Sequence, residues 1–218
     1  MNKDKSLILA SGSPRRQELL AALGVPFSVE TADVDEQPYP GEAPEDTVVR
    51  LSRAKALAVA VRIARMPGGA HSAVLSADTI VALDGIPLGK PVDAADATAM
   101  LRALCGRAHQ VCTAVTLTQE NLTLTRLTIS DVTMRDYRDD EIAAYVATGD
   151  PLDKAGAYAI QHTEFAPVAH WSGCFSSIMG FPLGAVATLL HEAGLRPATD
   201  VIAVCEQFAP RCCLRPPC

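Results

Sequence analysis

The segment Leu9–Arg16, L-A-S-G-S-P-R-R, limits the folds open to this chain more than any other. An apolar run ends there and passes through a short loop into a helix that opens on proline. Pro14 suits the first helical position, where its missing N–H costs nothing, and Ser13 stands where a side chain can cap the free amides. Arg15 and Arg16 then fall in the first turn, at the positive end of the helix dipole. A cation is disfavoured there by roughly 0.3–1 kcal/mol. A bound anion would invert that preference, because backbone amides, dipole and two guanidinium forks would converge on it. Taken alone, a solvated arginine pair on a surface helix is the commoner outcome.

Length and charge narrow the classes. A chain of 218 residues can form one large domain or two lobes sharing a cleft. The formal net charge of −6 argues against holding a nucleic acid polymer by phosphate neutralisation, but a small nucleotide held by a few local cations or through a metal ion remains open. There is no run of about eighteen apolar residues, so no membrane span is expected. The apolar stretch Leu7–Ala10 is too short for a signal peptide, and cytoplasmic residence is expected. Of the seven cysteines, Cys205, Cys212, Cys213 and Cys218 crowd into a Pro-rich end. Their spacing fits no standard zinc pattern, so they are expected to be reduced thiols on a poorly ordered tail.

Periodicity places a first strand at Ser6–Ala10, a helix at Pro14–Leu23 and a second strand at Phe27–Ala32. A long helix follows over Glu45–Arg65, with Val48, Val49, Leu51, Ala54, Leu57, Ala58 and Val61 as its apolar face. Ala73–Leu83 reads as a strand that turns at Asp84-Gly85 into Ile86–Leu88, and Asp93 caps a helix over Ala94–Leu104. His109–Thr118 and Leu122–Met134 alternate as long antiparallel strands, and Asp139–Thr148 is helical. Ala166–Ser177 holds one or two strands and Pro182–Ala193 the last clear helix. Without a regular βαβ rhythm, a mixed sheet flanked by helices is expected.

Chemistry concentrates in few places. Asp78 interrupts the apolar strand A-V-L-S-A-D-T-I-V-A-L, and an unpaired carboxylate there would cost several kcal/mol. It is therefore either a paired core carboxylate or a working one, with neither favoured. Lys90, in Gly89-Lys90-Pro91, suits a phosphate contact, although the P-loop pattern is absent. Asp153–Gln161 sets an acid and a base beside small residues that admit close backbone approach, and the Gln161 amide can both donate to and accept from a base edge. Asp33, Asp35 and Glu36 form an acidic cluster, by itself a solvated face; near a triphosphate, one of them could complete a Mg²⁺ site. Lys55, beside Arg53, reads as a surface lysine. The five histidines lack metal spacing and no G-x-S-x-G elbow occurs, so metal-assisted attack by water fits better than a protein nucleophile.

Six segments in register resemble the Maf-like nucleoside triphosphate pyrophosphatases: Leu9–Leu20, Val34–Glu36, Ser76–Val81, Gly89–Pro91, Asp153–Gln161 and Met179–Leu183. The resemblance spans about residues 6–194. It implies a mixed α/β fold like that of inosine triphosphate pyrophosphatases, a long curved sheet with flanking helices and two lobes around a cleft. It also implies hydrolysis of a nucleoside triphosphate to monophosphate and diphosphate with a divalent cation, Mg²⁺ or Mn²⁺. Asp78 matches the general-base position and, with Glu36, the metal site. Ser11, Arg15, Arg16, Lys55, Lys90 and Lys154 match polar positions around the phosphates.

Three positions sort substrates within the family and fall on Arg15, Thr79 and Gln161, which look like the group acting on dTTP and UTP rather than on 7-methyl-GTP. A non-catalytic nucleotide sensor linked to cell division is the competing class. On this basis residues 1–195 are expected to form the nucleotide pyrophosphatase domain and 196–218 the tail. The expected partner is a small nucleotide, and a homodimer is allowed.

Overall fold

The computed structural model describes residues 6–66, 69–209 and 211–214. Cys218 lies outside the described residues. In chain order the elements are β1 (Leu7–Leu9), α1 (Pro14–Ala22), β2 (Phe27–Val29), α2 (Pro44–Ala64), β3 (Ala73–Leu83) and β4 (Ile86–Leu88). They continue with α3 (Ala94–Leu104), β5 (Ala108–Gln119), β6 (Leu122–Met134), α4 (Asp139–Ala147), β7 (Val168–Ser172), α5 (Phe175–Ile178), α6 (Leu183–Glu192) and α7 (Val201–Phe208). Seven strands form one mixed sheet in the order β2-β1-β3-β5-β6-β7, with β4 beside β3. β1 lies parallel to β2 and β3, and the other pairings are antiparallel. No helix among the described residues is long and apolar enough to cross a membrane.

The pleat of β3 divides the interior. On one face Leu75 and Ala77 join a core with Leu19, Leu20, Val186 and Leu189, while Val81 and Leu83 join a second with Leu101, Leu104 and Ile142. On the other face Val74 packs beneath Val59, and Ile80 beneath Val48, both on α2. Each such leucine or valine contributes about 1.5–3 kcal/mol by leaving water.

One consequence of the register shapes the site. β5 follows β3 from Val74 to Ala82 along one edge. The other edge is shared: β1 pairs with Ala73–Leu75 and β4 with Val81–Leu83. Residues 76–80 are left there without a strand partner, and this gap holds Asp78 and Thr79.

Four expectations are corrected. Ser13 occupies the N-cap of α1 but its side chain caps nothing; its own N–H donates to Ser11 Oγ at 3.3 Å. The buried side of α2 is Val48, Leu51, Ser52, Lys55, Ala56, Val59 and Ile63, whereas Leu57, Ala58 and Val61 face solvent. The helix is rotated because β3 presents Asp78 and β5 presents Thr116 to it, and these need the Lys55 and Ser52 side chains as partners. Phe175–Ile178, expected to be strand, is a helical turn; Gly173 (φ +90°) breaks the strand before it. Finally, the described part of the tail forms a helix packed on the body. Asp200 accepts from the Ala203 amide and caps α7, whose Val201, Val204, Cys205 and Phe208 recur at helical spacing and pack on the first core, with Cys212 wholly buried beyond them.

Candidate active site

Chain geometry sets the entrance. Ala10 N–H donates to Leu75 O at 2.7 Å, the last bond of the parallel pair, after which the chain leaves the sheet through Ser11–Ser13 and enters α1. A loop at the carboxyl end of a parallel strand, followed by a helix N-terminus, is where open α/β sheets bind anions. Here it faces the gap in β3. The result is a cleft of about 1030 Å³. Ser11, Arg15, Arg16, Glu36, Lys55, Asp78, Thr79, Lys90, Lys154 and Gln161 all line it, so the side chains to which the resemblance points are brought to one place, whereas Asp33 and Asp35 of the acidic cluster are not among its lining.

The two arginines separate in role. Among the described residues Arg15 makes no hydrogen bond or ion pair. Arg16 turns into the gap: Nη1 donates to Ala77 O at 2.7 Å and Ser11 Oγ at 3.4 Å, Nη2 to Thr79 Oγ1 at 3.2 Å and Nε to Gly180 O at 3.0 Å. The guanidinium thus stands in for the missing strand partner at Ala77. Burial pushes its pKa down, and the charges of Asp78 and Glu36 pull it back up. Gly180, at φ +93°, must be glycine, since a Cβ would come within 3.2 Å of Thr79 Oγ1 in a backbone conformation that L residues avoid.

Thr79 is committed as well. Thr113 Oγ1 donates to Ser177 O at 2.9 Å, so in its 3.0 Å contact with Thr79 it must accept. Thr79 therefore donates to Thr113 and accepts from Arg16. Neither the Ala77 and Gly180 carbonyls nor the Thr113 relay is legible in the sequence, although Gly180 lies in the Met179–Leu183 segment quoted above.

On the opposite face Lys55 is buried, not on the surface. Its Nζ lies 2.6 Å from Asp78 Oδ1 and 2.8 Å from Glu36 Oε1. Burial raises the Asp78 pKa above the ordinary carboxylate value; the charge and hydrogen bond of Lys55, then the charge of Arg16, oppose the rise. Asp78 Oδ2 and Glu36 Oε2 make no hydrogen bond among the described residues. Two carboxylates with open oxygens are the ligand chemistry of a hard divalent cation. Among the described residues no group of three or more His, Cys, Asp or Glu side chains is arranged to hold a metal ion. A cation here would therefore draw its remaining oxygens from a ligand and water.

The far wall is the loop after α4. Tyr145 Oη donates to Asp150 Oδ2 at 2.6 Å and accepts from the Ala159 amide at 3.2 Å, holding both ends of the loop. Gly156 (φ +69°) packs where a Cβ would meet Val81 at 3.0 Å, and its N–H donates to Gly89 O at 3.0 Å. That contact joins the Lys90 loop to the Asp153–Gln161 loop. Lys154 is engaged rather than open: its Nζ donates to Asp150 O at 2.6 Å, Asp150 Oδ1 at 2.9 Å and Asp153 Oδ1 at 2.7 Å. Lys90 is exposed at the rim. Gln161 Oε1 is buried with no hydrogen-bond partner, at the point where the cleft runs into a smaller cavity of about 360 Å³ lined by Asp150, Ala159, His162, Thr163 and Glu164. An unsatisfied buried acceptor costs about 1–3 kcal/mol unless a ligand donates to it.

Cations at the rim, helix amides at one end, a buried carboxylate in the middle and an orphaned amide oxygen beyond define a cleft suited to a phosphorylated ligand with a hydrogen-bonding base. The chain belongs to the Maf-like protein family, whose model matches residues 6–193. It is 47% identical over 197 residues to the dTTP/UTP pyrophosphatase of Aromatoleum aromaticum, covering 86% of this chain and 95% of that one. The protein of the same name from Escherichia coli is 49% identical over 188 residues (86% and 92%), and that from Thermomicrobium roseum 44% over 207 (93% and 92%). Among solved structures, the Staphylococcus aureus Ham1 protein aligns at a TM-score of 0.41 and 17% identity, covering 61% of this chain and 73% of that one.

Proposed function

We propose that this chain hydrolyses dTTP and UTP to the nucleoside monophosphate and diphosphate. The observation that carries the proposal is the convergence of Arg15, Lys90, Asp78, Glu36 and Gln161 on one cleft. Arg15, Lys90 and the first amides of α1 bind the triphosphate. Ser11 Oγ, which already accepts from Arg16 and from the Ser13 amide, has its proton left to donate to a phosphate oxygen. Arg16 fixes the floor beneath them.

Asp78 takes a proton from the attacking water. Its raised pKa makes it a stronger base than an exposed carboxylate, and the Lys55 charge favours its ionised form. Water oxygen bonds to the α-phosphorus, the bond from that phosphorus to the bridging oxygen breaks, and diphosphate leaves. Asp78 and Glu36 would hold a Mg²⁺ or Mn²⁺ ion, which when bound neutralises charge on the phosphates. Gln161 Oε1 accepts the N3–H of uracil or thymine, and its amide nitrogen donates to a neighbouring carbonyl. A guanine base offers a different edge, rich in donors, to which this amide is less suited.

A nucleotide panel with diphosphate release as readout tests the proposal. Turnover of UTP and dTTP with Mg²⁺ or Mn²⁺ is expected, and Asp78→Asn should lower kcat by about 10²–10⁴. Turnover of 7-methyl-GTP without UTP would overturn the substrate assignment. Nucleotide binding without hydrolysis would make the chain a sensor instead.

A further inference from the structure

The loop joining β2 to α2 carries Glu36 to the cleft, and Gln37 and Pro38 continue the lining. Glu36 is largely exposed, and its contact with Lys55 is a surface ion pair, too weak to fix a loop. The backbone around it is held from elsewhere. Arg50, in the second turn of α2, grips the loop at two points. Its Nε and Nη2 donate to Glu42 Oε1 and Oε2, both at 2.7 Å, and Nη2 also donates to Gln37 O at 3.1 Å. The guanidinium lies over the Tyr39 ring, with Cζ 4.0 Å from the ring centroid, and the Tyr39 amide donates to Glu42 Oε2 at 3.0 Å. On the other side of Glu36, Asp35 Oδ1 accepts from the Gln37 amide at 3.0 Å, closing a turn around it. A forked arginine–carboxylate pair fixes direction as well as distance, and Pro38 and Pro40 stiffen the chain between the two grip points.

We infer that Arg50 is a positioning residue: through Glu42, Tyr39 and the Gln37 carbonyl it holds the loop so that Glu36 faces a divalent cation shared with Asp78. The inference rests on the metal site proposed above. Arg50, Tyr39 and Glu42 do not line the cleft, so they act on the loop and not on the nucleotide.

A loop released from Arg50 samples other positions, and the apparent metal affinity falls by the fraction of molecules that still present Glu36. Metal in excess selects that fraction, so the loss is recovered at saturation. The Arg50 fork holds the Glu42 carboxyl down at about 2, which keeps the grip charged throughout the neutral range.

Mn²⁺ alone is titrated into the full chain, with the EPR signal of free Mn²⁺ reporting binding. Arg50→Ala should weaken binding about tenfold, and Arg50→Lys, which keeps the charge but not the fork, by less. Glu36→Gln should weaken it as well, and adding Arg50→Ala to Glu36→Gln should cost little more, because both changes remove the same ligand. With UTP as substrate, Arg50→Ala should need about tenfold more Mn²⁺ for half-maximal rate, while kcat at saturating Mn²⁺ stays within about threefold of the parent. If Arg50→Ala does not fold, Arg50→Lys makes the same comparison. Unchanged Mn²⁺ affinity in the Arg50 variant, beside a loss in Glu36→Gln, overturns the inference and leaves the metal site standing. An Arg50 effect of equal size with and without Glu36 overturns it too, since that marks a general loss of structure. Unchanged affinity in Glu36→Gln removes Glu36 from the metal site and overturns both.

Discussion

Lys55→Met isolates the buried pair at the centre of the cleft. The Lys55 and Asp78 side chains are 11% and 9% exposed, whereas Glu36 is 60% exposed. The contact with Glu36 is thus a surface ion pair, contributing about 0–1 kcal/mol. Loss of the contact with Asp78 strands a buried charge, a change that costs about 3–5 kcal/mol. Protonation limits that cost. Without Lys55 the Asp78 pKa rises further, and the folded protein can take up a proton instead of burying the charge. With Arg16 still nearby, a loss of about 3 kcal/mol at pH 7 is expected.

The pH dependence has a definite sign. In the variant the folded pKa lies above the unfolded one, so the deficit is absent below the unfolded pKa and grows as pH rises towards the folded value. Urea unfolding at pH 5 and pH 7 should show a smaller loss at pH 5. In a cycle with Asp78→Asn, the double variant should recover about 1–3 kcal/mol relative to the sum of the single losses. A loss below about 1 kcal/mol at pH 7, or losses that add to within about 0.5 kcal/mol, would refute a buried and coupled pair.

Three further outcomes are expected. Arg15→Ala should raise KM for UTP with Tm almost unchanged, whereas Arg16→Ala should also cost about 2–4 kcal/mol in urea unfolding because the Ala77 and Gly180 carbonyls lose their donor; equal stability losses would contradict the division of labour. Gln161→Glu should lower kcat/KM for UTP by about tenfold or more, since a carboxylate cannot donate to a base carbonyl; steady-state kinetics with an unchanged value would remove Gln161 from base recognition. His109 is buried against Tyr158, and burial lowers its pKa to about 4. The folded state therefore binds fewer protons than the unfolded chain between that value and about 6.5, and stability should drain away by about 3 kcal/mol as pH falls through that window. His109→Gln should flatten this part of the stability profile in urea titrations.

The chain's local chemistry determined much of this protein by itself. Periods of two and of three to four residues placed β3, β5, β6 and α3 almost to the residue, because their turns and caps at Asp84-Gly85, Glu120-Asn121 and Asp93 are short-range devices. Arg15, Arg16 and Asp78 were legible for a similar reason: two arginines against a helix dipole and a carboxylate inside an apolar strand are locally unfavourable, which marks them before any fold is known. What each of them does was decided only in three dimensions. Arg16 became a brace because pairing with β1 and β4 stops short of residues 76–80, leaving Ala77 O in need of a donor. Lys55 and Ser52 turned inward on α2, against the apolar tally, because the sheet offered Asp78 on β3 and Thr116 on β5 to that face. α7 packed on the first core although its sequence looked like the start of a tail. The common physical reason is that an unpaired buried polar group costs more than a misplaced valine or leucine, and its partner lies far away in the chain.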